Sequence, residues 1–142
     1  MHSEGLFILK INRSIQVYIE LIVFSFVFLL AATIFKDEYL FGWAIHNWTF
    51  FLILCLVPLF LVLINKRLIS TFMSIGIVGG LFIGNYLGDY LRAINIAKIT
   101  PEISNQEIAK LHLDPGFFIW IAIIIGFAIV SVIAELLTRK KV

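Results

Sequence analysis

The sequence predicts an all-α integral membrane protein with four transmembrane helices. Three observations carry that reading. The mean hydropathy is +1.04, and 61% of the 142 residues are hydrophobic against 14% charged. A soluble domain of this length needs a more polar surface. The charges also fall in short clusters between long apolar runs, as they do in a chain that crosses a bilayer repeatedly. Finally, Gly76, Gly80, Gly84 and Gly88 recur at every fourth position inside one such run, with Gly79 beside them. Residues four apart on a helix lie nearly above one another, so these glycines form one smooth stripe. Lipid supplies no hydrophobic drive for helix association, and a smooth stripe lets two backbones approach closely.

The elements follow in order. The lead up to Gln16 is polar and carries Lys10 and Arg13. The first span covers residues 17–35. It is longer than the apolar region of a signal peptide and no A-x-A site follows, so it is read as a retained helix. Residues 36–47 form a short connection with paired acids, aromatics and Gly42. The second span, 48–64, contains Pro58, whose ring clashes with the carbonyl of Leu54 and predicts a kink. Asn65, Lys66 and Arg67 make a tight turn, so the second and third spans are antiparallel neighbours. The third span, 68–87, holds the glycine stripe. In the long segment that follows, Ser104-Asn105-Gln106-Glu107 fits a capping box and starts a short helix over 104–112. That helix has an apolar edge suited to the membrane interface. Asp114-Pro115 reads as N-cap and first residue of the fourth span, 117–137. The chain forms a single domain.

Four spans put both termini on one side, with Lys10, Arg13, Lys66, Arg67, Arg139, Lys140 and Lys141. The other side holds Lys36, Arg92, Lys98 and Lys110. The positive-inside rule therefore places the termini in the cytoplasm and the short helix outside, in a plasma membrane. Trp43, Trp48 and Trp120, with Tyr39, Tyr86 and Tyr90, are expected in the outer aromatic belt.

The stripe of Gly76, Gly80, Gly84 and Gly88, a glycine zipper, has two readings. It packs within the chain, or it meets a second copy or a partner protein at a right-handed crossing. Asn85, Asp89 and Arg92 form a polar patch at the end of the third span. It is read as a local charge pair that ends the helix, with ion or proton binding as the sharper alternative. Glu20 and Glu135 are expected to snorkel at the interface, beside Lys10, Arg13, Arg67 or Arg139. His46, His112, Glu107 and Asp114 lack metal-ligand spacing, so neither a metal nor a cofactor is expected. The lone Cys55 allows no intrachain disulfide. No basic run suggests nucleic acid, and no catalytic constellation is present. The function expected is that of a non-enzymatic accessory, assembly or immunity-type subunit, working through its glycine face and outer loop. Its surroundings are the lipid bilayer and a membrane-protein partner or second copy. The alternative is a small oligomeric transporter or channel that uses Asp89, Asn85 or Glu20.

The charge distribution makes a direct prediction. Reporter tags at Met1 and Val142 should register the cytoplasm, and cysteines placed at Asp37 and Asn105 should react with an impermeant thiol reagent outside intact cells. External labelling of either terminus would refute the orientation.

Overall fold

A computed structural model describes residues 12–140, without the side chain of Lys140. Its helices are α1 (Arg13–Thr33), α2 (Tyr39–His46), α3 (Trp48–Leu63), α4 (Arg67–Ala97), α5 (Asn105–Leu111) and α6 (Gly116–Lys140), and no strand occurs among the described residues. Helices α1, α4 and α6 are each long and apolar enough to cross a membrane. The α2–α3 pair, bent by 90°, provides a fourth crossing if it counts as one broken span. Arg13 Nη1 donates to the Leu63 carbonyl at 3.3 Å, and Lys66 Nζ to Glu135 at 3.2 Å. These bonds gather the start of α1, the α3–α4 turn and the end of α6 at one end of the bundle, called the basal end below. Lys10 and Lys141, both used in the charge argument, lie outside the described residues.

Local signals set several boundaries. Asn12 caps α1 by accepting from the Ile15 amide at 2.9 Å, so the helix begins at Arg13 rather than at residue 17. Ser104 caps α5 through the Glu107 amide at 3.3 Å. Asp114 Oδ1 accepts from the Gly116 amide at 2.8 Å and opens α6. Between α3 and α4 the chain reverses through Asn65, whose φ is 67°. The Lys66 amide bonds back to Leu61 O and the Asn65 amide to Val62 O. That is a Schellman closure with Asn in the left-handed position that glycine usually takes.

Other boundaries differ from the sequence expectation. Helix α4 continues ten residues beyond residue 87, to Ala97. At 31 residues it is about 46 Å long, against a hydrocarbon layer of about 30 Å. It is therefore longer than one crossing requires. The connection 36–47 is not a surface loop. It folds as α2 and buries Leu40, Phe41 and Ala44 in the core. The sharp bend falls at Asn47, where α2 meets α3, while α3 runs on as one helix through Pro58.

The core sits at the α2 end. Phe35 stacks on Phe41 with ring centres 4.8 Å apart, and Phe82 meets Phe41 edge-on at 5.0 Å. Trp43, Phe50 and Phe117 pack mutually, with ring centres 4.7–5.9 Å apart. Trp120 is fully buried and is no part of an aromatic belt. Its indole finds a hydrogen-bond partner inside the bundle, so it needs no interfacial water.

The turn at Asn65 yields the second prediction. A left-handed backbone costs a residue with a Cβ about 1–2 kcal/mol, which Asn tolerates best. Asn65→Val should lower thermal stability in detergent by about that amount, whereas Asn65→Gly should leave it unchanged or raise it. Equal melting temperatures for the two variants would show that the turn is not under this constraint.

Candidate functional site

The glycine stripe faces α6. A methyl group at Gly76 would lie 3.1 Å from Phe127 Cβ, and one at Gly80 would lie 3.0 Å from Trp120 Cδ1. At Gly84 it would lie 2.7 Å from the Gly116 carbonyl oxygen, and at Gly88 2.7 Å from Gly116 Cα. Each step of one turn along α4 thus meets a step back along α6, an antiparallel seam. Gly116 is the reciprocal member: a Cβ there would lie 2.8 Å from Gly84 O. Trp120 Nε1 donates to the Ile77 carbonyl at 2.9 Å and ties the two helices. Within the fold, the stripe is covered by the chain's own last helix. Gly79 points elsewhere, and a Cβ there would meet nothing within 4 Å.

The second feature is polar and lies at the α2 end. Asn85 is completely buried. Its Oδ1 accepts from the Leu40 amide at 3.0 Å, and its Nδ2 donates to Glu38 Oε2 at 3.1 Å. Leu40 carries the second amide of α2, whose own N-cap, Glu38, makes no side-chain cap bond. Asn85 therefore caps α2 from a different helix. Asp89 lies beside the carboxyl groups of Asp114 and Glu38, and Arg92 attracts it electrostatically. Arg92 Nε donates to the His112 carbonyl at 2.9 Å. The expected local Asp89–Arg92 ion pair is not what organises the patch. Asn85, Asp89 and Arg92 reach three different segments, α2, the start of α6 and the end of α5.

The third feature is at the basal end. Glu20 is 6% exposed, so it does not snorkel. Its Oε1 accepts from Ser70 Oγ at 2.7 Å and from Gln16 Nε2 at 3.3 Å. Ser70 Oγ also lies 2.7 Å from Pro58 O, so its one proton serves two acceptors. Gln16 in turn accepts from Arg67 Nε at 2.8 Å and donates to Thr71 Oγ1 at 3.1 Å. Two buried oxygens here have no partner, Glu20 Oε2 and Ser74 Oγ. An unsatisfied buried polar atom costs about 1–3 kcal/mol, and more if it is charged. Both residues line a groove of about 530 Å³ between α1 and α4, with Gly79 on its wall. Glu135 is held at the other side of this end by Lys66 at 3.2 Å and Arg139 at 3.1 Å.

His46 and His112 serve their own helices. His46 Nδ1 lies 2.8 Å from Gly42 O and His112 Nδ1 2.8 Å from Ile108 O. No cluster able to hold a metal occurs among the described residues. Sequence reasoning singled out neither Gly116, Ser70 nor Glu38 as a site residue. Comparisons with protein-family models, curated proteins and solved structures found no match.

The seam predicts opposite outcomes for neighbouring glycines. Gly84→Ala forces a methyl against a backbone oxygen and should destabilise the protein in detergent by about 1–3 kcal/mol. Gly79→Ala has room and gains helix propensity, up to about 1 kcal/mol. Thermal melts that rank the two variants the other way would contradict the seam.

Proposed function

We propose that the chain is a non-enzymatic accessory or assembly subunit of a plasma membrane, immunity-type function included. It recognises its partner through the segment between α4 and α6. The observation that supports this is α5. It is capped by Ser104, and the turn after it is pinned by Arg92, yet none of its residues is buried. An ordered segment that adds nothing to the core leaves its side chains free for recognition. Glu107 and Lys110 offer charges of both signs there, and Ile108 is half-buried beside them. The glycine seam then serves as scaffold rather than as partner surface, because α6 already covers it.

A second reading, a small oligomeric transporter or channel, draws support from the buried carboxyl of Glu20. An apolar layer inside the chain weighs against it. Glu20's partner Ser70 and the buried Asn85 are about 22 Å apart along α4. Phe24, Ile77, Leu81 and Trp120 are among the buried residues of the apolar core. An ion path would have to run between copies of the chain.

The two readings separate in one pair of measurements. Replacing 104–112 with a Gly/Ser stretch of equal length should abolish recovery of a stoichiometric partner after mild solubilisation and leave the melting temperature within a few degrees. Purified wild-type chain in proteoliposomes should show no proton or ion flux. Equal partner recovery from both forms would overturn the first reading. Flux that disappears in Glu20→Gln or Asp89→Asn would establish the second.

A further inference from the structure

We propose that the Glu20 carboxyl holds a proton at neutral pH and donates it to Ser70, while Ser70 donates to Pro58. One chain of hydrogen bonds then ties α1 to α4 and α4 to α3.

The direction of each bond follows from the hydrogens available. Ser70 Oγ lies 2.7 Å from Glu20 Oε1 and 2.7 Å from Pro58 O. Both distances are those of full O–H···O bonds. A carbonyl oxygen only accepts, an ionised carboxylate only accepts, and Ser70 has one proton. With Glu20 ionised, one of the two contacts is a pair of oxygens with no hydrogen between them. With Glu20 protonated, its O–H points to Ser70 Oγ and the Ser70 O–H points to Pro58 O. Each short contact then holds one hydrogen.

Gln16 does not make up the deficit. Its Oε1 accepts from Arg67 Nε at 2.8 Å, which fixes which end of the amide is which. Its Nε2 has two hydrogens and three acceptors: Thr71 Oγ1 at 3.1 Å, Arg67 O at 3.2 Å and Glu20 Oε1 at 3.3 Å. Glu20 is the farthest of the three. An ionised Glu20 would therefore have only shared donors on Oε1 and none on Oε2, which is buried without a partner. A bare oxygen costs less as the C=O of a neutral acid than as part of a carboxylate.

Neighbouring charges are engaged with other groups. Arg13 reaches the Leu63 carbonyl, Lys66 and Arg139 pair with Glu135, and Arg67 meets Gln16. Among the described residues no ion pair involves Glu20. A carboxyl that is 6% exposed, in a helix that crosses lipid, is cheaper to bury neutral than charged.

The test uses the full chain at neutral pH in nanodiscs of ether-linked phosphatidylcholine, which has no ester carbonyl to mask the protein. Infrared spectroscopy reads the C=O stretch of carboxylic acids, a band that carboxylates lack. Subtracting the Glu20→Gln spectrum from that of wild type should leave one acid band, which moves to lower frequency in D2O. Glu20→Gln should melt within a few degrees of wild type, because its N–H can replace the O–H as donor to Ser70. Ser70→Ala removes the acceptor and should shift the band. Should Glu20→Gln fail to fold, 13C-labelled glutamate gives the same reading from wild type and Ser70→Ala alone. Absence of an acid band from the difference spectrum, or a glutamic-acid band that Ser70→Ala leaves in place, would overturn the proposal.

Discussion

Where α4 crosses α6, a carbonyl of one helix stands where the other has no room for a methyl group. In lipid, helices gain nothing from hiding apolar surface, so close contact and hydrogen bonds must hold them. The seam of Gly76, Gly80, Gly84 and Gly88 supplies the contact, with Gly116 opposite. Trp120 supplies the bond, its indole reaching the Ile77 carbonyl. Everything at the α2 end is built on that pair: Leu40 touches the seam at Gly84, and Trp120 anchors the aromatic cluster that α2 and α3 complete.

The polar side chains obey a second constraint, that a donor or acceptor away from water must be matched. At the α2 end Asn85 uses both ends of its amide, and Arg92 and Asp114 each close a backbone bond. The matching is incomplete at both ends: Asp114 leaves Oδ2 bare at the α2 end, and Glu20 and Ser74 each leave an oxygen bare at the basal end. The glycines differ among themselves in a comparable way. Those of the stripe lie against atoms of α6, and Gly79 lies against none.

What could be read from the sequence was local. The caps at Ser104 and Asp114 depend on residues two or three apart, and the glycine register on a period of four, so both were visible in the chain itself. The long apolar runs announced helices able to cross a membrane, of which α1, α4 and α6 qualify singly. Other features depend on partners distant in the chain. Glu20 reads as an interfacial charge until Ser70, fifty positions later, is placed beside it. Trp120 reads as a belt residue until Ile77 offers it a carbonyl. The segment YLFGWAIH is too short to announce a helix by periodicity. A weak signal did exist for this polar network: Gln16 and Glu20 lie four apart, on one face of α1.

The bond from the Leu40 amide to Asn85 Oδ1 spans 45 positions of sequence, so an earlier helix is capped by a later one. The amide end of α2 is synthesised well before the residue that caps it. The elbow between α1 and α3 therefore cannot gain this cap until residue 85 has been made and α4 lies beside α2.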